Sequence, residues 1–269
     1  FFVMKKEVFL LTILQIAGSS KILFFPYNIP MLNFNKPITE SIQARFSCRD
    51  YARTPIHAEK RKQVGDFIAA LPSGPFGSRP RFDLLAESDT DNKSLRGLGT
   101  YGFIRNPSAF ILSAMSPAEY DLEDFGYLME AIILKTTELE LGTCWLGGTF
   151  KKSKFAKKIA LSEDEIMPAV TALGEFVVSG QKRKGWTSRT AGSWKRLAWE
   201  QLFFNTFFDT PLILNEAGEY AKALEMVRIE AGFIIPGDDF NTAETAIRAD
   251  HDRSPYELGM GWVVSLDKP

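Results

Sequence analysis

One long apolar segment that leads into a glycine-rich turn constrains this chain most. Apolar side chains and one threonine recur there at helical spacing, at Leu122, Phe125, Met129, Ile132, Ile133 and Thr136. The chain continues as TCWLGGTF, in which Gly147 and Gly148 present backbone without side chains. The segment predicts a buried helix over residues 122–141, followed by a turn over which a flat ring can stack between Trp145 and Phe150.

The other patterns predict a mixture of helices and strands. Asp121 is placed to cap the long helix, and Gly142 stands where a left-handed residue would end it. Ser162 and Glu165 have the spacing of a capping box, which predicts a further helix start. Helices are also predicted over residues 38–44, 58–70, 198–208 and 215–230, and strands over residues 81–88, 108–114, 168–176 and 259–266.

Size and composition describe a globular protein without a strong overall field. The 269 residues are 45% hydrophobic and 24% charged, which suits one large domain or two small ones. The 32 basic residues nearly balance the 33 acidic ones, so the net charge gives no attraction for nucleic acid. Basic runs do occur at residues 59–62, 151–158 and 181–184, and we interpret each as a solvated face.

The cysteines and histidines argue against several kinds of chemistry. Cys48 and Cys144 form neither a disulfide framework nor a CxxC motif, which favours a reducing compartment. His57 and His251 have no second ligand at zinc spacing and stand in no known catalytic motif. We therefore predict no metal site and no catalytic triad.

The first 30 residues have two interpretations. A basic pair precedes an apolar run within residues 8–20, as in a short signal peptide, but this run is shorter than the roughly 20 residues of a membrane span. Alternatively, residues 1–30 are upstream sequence and Met31 is the natural start. We favour the second interpretation, with a cytoplasmic protein and no membrane partner, because the chain from Met31 begins like a globular domain.

Three residues near the start form the first candidate binding site. Arg45, Ser47 and Arg49 alternate along ARFSCRDY, so an extended or turn conformation places two guanidiniums and a hydroxyl on one side. Such donors suit a phosphate. The alternative is a pair of surface arginines with nothing bound.

Two further segments combine basic or hydroxyl groups with open backbone. In PSGPFGSRP, residues 72–80, the glycines allow close approach to a flat ligand, while Ser78 and Arg79 offer donors at its edge. Lys195 and Arg196 precede a predicted helix, where cations oppose the helix dipole and favour an anionic partner. The alternatives are an ordinary surface loop and a charged helix start.

Taken in order, these segments resemble the FMN-dependent nitroreductase family. The resemblance rests on R-x-S-x-R, the P-S-x…P-x-F loop, the helix ending in ELGTCWLGGTF, the segment ALSEDEIMPAVTALGEF and the basic KRLAWEQLF. The resemblance extends from residue 38 to residue 202. It is strongest to the divergent branch called "putative nitroreductases", in which one chain carries two related lobes. The implied domains are a flavin-binding lobe at residues 31–200 and a second lobe, with an atypical end, at residues 201–269.

The resemblance implies an α+β fold with a central, mostly antiparallel sheet flanked by helices. It also implies an enzyme that binds FMN without covalent attachment. Such an enzyme takes a hydride from NAD(P)H and passes it through flavin N5 to nitro compounds, quinones or similar small-molecule acceptors. A monomer with pseudo-dimeric lobes or a homodimer is expected. The alternative is a non-catalytic flavin-binding or sequestering protein with a degenerate site.

The family's cofactor contacts carry over to nine positions. These are Arg45, Ser47, Arg49, Ser78, Arg79, Gly147, Gly148, Lys195 and Arg196. The first three and the last two are the expected phosphate and ribityl contacts, and the two glycines match backbone contacts to the isoalloxazine. Ser78 and Arg79 stand where the family often has an Asn-Gln pair near the ring, so this chain departs from the family's pattern at these two positions.

Overall fold

The chain folds into an α+β structure around an antiparallel sheet. The computed structural model describes residues 32–87, 95, 97–176, 198–205, 210–231 and 262–264. The helices within them are α1 (Ile38–Ala44), α2 (Ala58–Ala69), α3 (Asp121–Glu138), α4 (Lys152–Lys158), α5 (Trp199–Leu202) and α6 (Ala221–Ala231). The strands are β1 (Arg81–Ala86), β2 (Ala109–Ala114), β3 (Gly142–Leu146), β4 (Val170–Gly174), β5 (Phe203–Asn205) and β6 (Trp262–Val264).

The main sheet has the order β1-β2-β4-β3, and each neighbouring pair is antiparallel. Its two middle strands, β2 and β4, are buried along their whole length. β5 and β6 form a separate parallel pair. This arrangement confirms the predicted α+β class and the mostly antiparallel sheet.

Side chains on the two faces of the sheet enter two different cores. Ile111 and Leu173 point to one face, where they pack with Phe125 and other residues of α3. Phe110 points to the other face, where it meets Phe155 of α4 with ring centroids 5.0 Å apart. The alternation follows from the two-residue period of a strand, and it places the sheet between α3 and α4.

The ends of α3 are formed by residues other than those predicted. Asp121 is the first helical residue and not the cap, and its Oδ2 accepts from the backbone N–H of Ala118 at 2.9 Å. The left-handed residue after the helix is Glu140, with φ 61°, and Leu141 N–H donates to Thr136 O at 3.0 Å. The prediction that Gly142 ends the helix was therefore wrong.

Gly142 instead begins β3 and lies against the segment that follows α1. A Cβ built at this position would lie 2.8 Å from Cys48 Cβ, closer than two carbons can approach. The glycine is therefore required by a contact between two distant parts of the chain, which a local helix-ending pattern does not reveal.

Replacing Gly142 by alanine is expected to lower the free energy of unfolding by about 1–3 kcal/mol, because the new methyl group overpacks this contact. Urea unfolding measures the effect. Gly65→Ala is the matched control, since Gly65 lies inside α2 with no described atom within 4 Å of a built Cβ. That control is expected to stabilise the protein by about 0.5–1 kcal/mol through helix propensity. Equal effects at both positions would contradict the packing argument.

Three other predicted elements changed in extent or kind. The capping-box contact is present, since Ser162 N–H donates to Glu165 Oε2 at 3.0 Å, but it closes a turn before β4 and no helix follows. The helix predicted over 198–208 ends at Leu202, where the chain enters β5. The helix predicted over 215–230 begins with a 3-10 turn at Gly218–Tyr220 and becomes α6.

The C-terminal elements share a core with the start of the domain. Leu224 and Val227 of α6 are buried in one cluster with Ile42 of α1 and Leu134 of α3. The division into two related lobes stays a prediction, and residues 1–30 lie outside the described residues. Among the described helices, none combines the length and hydropathy that a membrane crossing requires.

Arg81 and Glu165 provide a pH-dependent contribution to stability. Arg81 Nε and Nη2 donate to the two Glu165 carboxylate oxygens at 2.7 Å and 2.6 Å. These bonds, and then the N–H of Ser162, lower the pKa of Glu165 from its ordinary 4.5 to about 2. Because the folded-state pKa is lowered, the contribution is present above pH 4.5 and is lost as the pH falls towards 2.

Glu165→Gln is therefore expected to cost about 1 kcal/mol at neutral pH, since Arg81 is partly exposed to solvent, and to flatten the loss of stability below pH 4.5. Urea midpoints between pH 7 and pH 3 measure this dependence. Glu163→Gln, on the same turn and exposed, should leave the profile unchanged. A profile equally steep in Glu165→Gln and wild type would contradict the assignment.

Candidate functional site

The arginine segment lies at the edge of the main sheet. After α1 the backbone becomes extended at Arg45, and Ser47 then pairs in parallel with Thr143 of β3. The N–H of Cys48 donates to Thr143 O at 2.7 Å, which fixes the register. Arg45, Ser47 and Arg49 are only 8%, 7% and 7% exposed, so the alternative of two surface arginines is wrong.

Ser47, the middle one of the three predicted donors, contacts the side chain of Cys144 in β3. Ser47 Oγ lies 3.3 Å from Cys144 Sγ. Burial raises the pKa of the Cys144 thiol, while Arg49, the hydrogen bond from Ser47 and Arg45 oppose this rise. The thiol itself stays protonated at neutral pH, which argues against a nucleophilic role.

Glu130 of α3 holds two of the surrounding side chains. Its Oε1 lies 3.5 Å from Arg45 Nε, and its Oε2 accepts from Trp145 Nε1 at 3.0 Å. The contact joins the arginine segment, α3 and β3. Sequence reasoning missed this residue, although an acidic residue at a partly buried position of an otherwise apolar helix is a signal that could have identified it.

The loop at residues 72–80 is organised by Asp124, which is also on α3. Asp124 Oδ1 accepts from the N–H of Phe76 at 2.8 Å, and Oδ2 accepts from the N–H of Ser78 at 2.6 Å. A Cβ added at Gly74 would overlap the Asp124 carboxyl group. Ser78 is thus placed by α3, whereas the side chain of Arg79 is exposed.

Burial of Asp124 affects its ionisation. The residue is fully buried, and this desolvation raises its pKa above the ordinary 3.8, although the N–H bonds from Phe76 and Ser78 oppose the rise. Asp124 is the second carboxylate that sequence reasoning missed. Its partners are the backbone N–H groups of Phe76 and Ser78.

The glycine pair is open to solvent. Gly147 and Gly148 are exposed, and a Cβ built at either one meets no described atom within 4 Å. Neither glycine has a positive φ, so the backbone conformation does not require glycine here. The chain therefore leaves free space beside two consecutive peptide groups, as a ring stacked on the backbone needs.

The two aromatic residues of the turn have different surroundings. Trp145 is half-buried, and its ring meets Phe125 edge-on with centroids 6.1 Å apart. Phe150 is buried against Phe155, with centroids 5.2 Å apart. Trp145 can border a ligand, but Phe150 belongs to the core, so its predicted place in the pocket wall was wrong.

The described parts of the site are arranged along α3 and β3. Asp124 and Glu130 are six residues apart on one helix, or about 9 Å. Thr143, which pairs with Ser47, precedes Gly147 by four residues, or about 13 Å of strand. The donor segment thus pairs with β3, and the open turn begins where this strand ends. Lys195 and Arg196 lie outside the described residues.

This donor set fits an elongated ligand that has a phosphate at one end and a flat ring at the other. Two buried guanidiniums carry several N–H donors each, and Ser47 adds a hydroxyl. Arginine forks match phosphate geometry. FMN has this shape and charge distribution, so the residues present fit FMN.

Comparison with known proteins assigns the family. The family model described as "Putative TM nitroreductase" matches residues 37–201, which include all nine predicted contacts. This match covers more than half of the chain, and the protein therefore belongs to this nitroreductase family. No curated protein matches the chain.

Several solved structures are similar to parts of the chain. A nitroreductase family protein from Clostridium difficile 630 is 21% identical, covers 58% of this chain and 92% of its own, and has a TM-score of 0.41. A nitroreductase with bound FMN from Bacteroides fragilis is 20% identical, with coverages of 55% and 97% and a TM-score of 0.41. A nitroreductase in complex with FMN from Desulfovibrio desulfuricans is 21% identical, with coverages of 55% and 93% and a TM-score of 0.42.

Proposed function

We propose that this protein is an FMN-dependent oxidoreductase that transfers a hydride from NAD(P)H to nitro compounds, quinones or similar acceptors. The observation that carries the proposal is the burial of Arg45, Ser47 and Arg49 in one extended segment that pairs with β3. This strand leads into the open backbone of Gly147 and Gly148. Bound FMN supplies the hydride-transfer chemistry through its N5.

The protein's own groups bind and orient the cofactor. Arg45, Ser47 and Arg49 hold the phosphate by charge-assisted hydrogen bonds. Glu130 keeps Arg45 and Trp145 in fixed positions, since it contacts both. The peptide groups of Gly147 and Gly148 face the ring, and no side chain blocks its approach.

Flavin binding is the first test. The purified protein, mixed with FMN and freed of excess, should show the flavin absorption bands. Titration should give tighter binding of FMN than of riboflavin, because riboflavin lacks the phosphate. Protein that stays colourless after FMN is added would overturn the proposal.

Turnover separates this enzyme from a non-catalytic flavin-binding or sequestering protein. The FMN-loaded protein should oxidise NADPH or NADH when a nitroaromatic compound or a quinone is added. Retention of FMN with no oxidation of either nucleotide would favour the sequestering protein. In the proposal the enzyme is cytoplasmic and its partners are small molecules.

A further inference from the structure

Two basic runs that look alike in sequence, at residues 59–62 and 151–158, differ in whether their cations have partners in the described structure. In α2, Lys60 Nζ lies 3.1 Å from Glu175 Oε1, and Lys62 Nζ lies 2.6 Å from Asp66 Oδ2. Arg61 Nη1 donates to the backbone oxygen of Glu87 at 3.0 Å. The fold therefore provides a partner for each of these three cations.

The run at residues 151–158 has no such partners among the described residues. Its five exposed cations are Lys151, Lys152, Lys154, Lys157 and Lys158. Across the described part of the chain, none of their ammonium groups forms an ion pair. Phe155 is fully buried and anchors α4, so the lysines occupy its outer surface.

Three of these lysines form a row. Lys151, Lys154 and Lys158 are spaced three and four residues apart, which places them on one side of the helix. Like charges at this spacing repel one another, and cations in the first turn also oppose the helix dipole. A bound anion would remove both unfavourable effects.

The row begins beside the open glycine turn. Lys151 follows Gly148 by three residues, and its N–H donates to Gly99 O at 3.0 Å. A Cβ built at Gly99 would lie 3.1 Å from Lys151 Cδ, so the lysine stem packs on this loop. Tyr101, two residues further along the loop, is 64% exposed. The loop that carries this exposed aromatic ring therefore contacts the first lysine of the row.

We propose that this surface binds the adenosine end of NADPH, with the 2′-phosphate at Lys154 and Lys158 and the adenine against Tyr101. The inference rests on the proposed function, in which a nicotinamide nucleotide donates the hydride. A phosphate monoester carries close to two negative charges at neutral pH, and NADH lacks this group. The lysine row thus selects NADPH over NADH, while the aromatic contact serves both nucleotides.

The size of the surface favours a nucleotide over a long polyanion. α4 has seven residues and is only about 10 Å long. The exposed acidic residues Glu163 and Asp164 follow closely in the chain. With a net charge of −1, the whole protein has no extended field for nucleic acid or an acidic membrane.

Calorimetric titration with NADP⁺ and with NAD⁺, in protein supplied with FMN, tests the inference. Wild type should bind NADP⁺ about tenfold more tightly than NAD⁺. The double variant Lys154→Gln/Lys158→Gln should lose this preference and keep its affinity for NAD⁺. Tyr101→Ser should weaken the binding of both nucleotides by the same factor. Lys62→Gln, on the other basic run, should bind both as wild type does. Higher salt should reduce the preference, because exposed charges are screened.

Equal affinity of wild type for the two nucleotides, or a preference that survives the double substitution, would overturn the inference. Tighter binding of single-stranded RNA or acidic lipid vesicles than of NADP⁺, lost in the same variant, would also overturn it. Flavin absorbance is read in the same samples. A preference for NADP⁺ without bound FMN would contradict the proposed function alone, and bound FMN without the preference would contradict the inference alone.

Discussion

Replacing Arg45 by alanine is expected to weaken FMN binding by about 10- to 100-fold, the largest effect on binding of any single change at the site. A charge-assisted hydrogen bond contributes about 1.5–3 kcal/mol, and each 1.4 kcal/mol is a factor of about ten. Arg45 is buried next to Ser47 and Arg49, so a phosphate there is removed from water. Fluorescence titration of FMN against wild type and variant measures the change.

Two controls distinguish phosphate binding from general damage. Riboflavin has no phosphate, so its affinity should change much less than that of FMN. Arg53→Ala, which removes an exposed arginine eight residues further along, should leave the affinity for FMN unchanged. An equal loss for both flavins in Arg45→Ala would contradict a phosphate contact.

Folding has to be separated from binding in this variant, because Arg45→Ala also removes the partner of the Glu130 carboxylate at 3.5 Å. Leaving a partly buried carboxylate without this cation costs stability. The double variant Arg45→Ala/Glu130→Gln removes that charge. It should recover part of the lost free energy of unfolding while FMN binding stays weak. Recovery of FMN affinity in the double variant would show that Arg45 acts only through folding.

Local patterns in the sequence were enough to place most elements of the fold. α1 was predicted at its observed bounds, and α2 within one residue, because apolar positions repeat at helical spacing between clear breakers. β2 and β4 were predicted from short apolar runs, since central strands are buried on both faces. The alternating residues of the arginine segment predicted an extended or turn conformation, and the structure shows the extended one.

Contacts between distant segments could not be predicted in the same way. Gly142 looks like a helix terminator in its local sequence, but its role is set by Cys48, about ninety residues earlier. Asp124 and Glu130 look like polar positions of an amphipathic helix. Only the fold shows that one carboxylate holds residues 72–80 and the other holds Arg45 and Trp145.

The two basic runs illustrate the same limit for electrostatics. Both were interpreted as solvated faces, because composition alone cannot tell which cation has a carboxylate nearby. The partner of Lys60 is Glu175, which follows β4 and is 115 positions away in sequence. The exposed lysines of α4 fit the interpretation as a solvated face. Their position after the glycine turn is the basis for the proposed contact with NADPH.

Replacing Asp124 by alanine is expected to lower the free energy of unfolding by about 2–4 kcal/mol, the largest effect on stability among these changes. The carboxylate is fully buried and accepts two backbone N–H groups, and removing it leaves both donors without their acceptor. Urea unfolding measures the loss. Amide hydrogen exchange at Phe76 and Ser78 should become much faster, because these two amides lose their bonds.

Asp124→Asn and Asp121→Ala are the matched variants. The asparagine keeps one carbonyl acceptor and should lose less stability than the alanine. Asp121, on the same helix turn, accepts one N–H near the surface and should cost about 1 kcal/mol or less. If Asp124→Ala left exchange at Ser78 unchanged, the carboxylate would not be what orders the loop. Because Ser78 is a predicted ring contact, a loosened loop should also weaken the binding of FMN and of riboflavin equally. Arg45→Ala, in contrast, should weaken the binding of FMN much more than that of riboflavin.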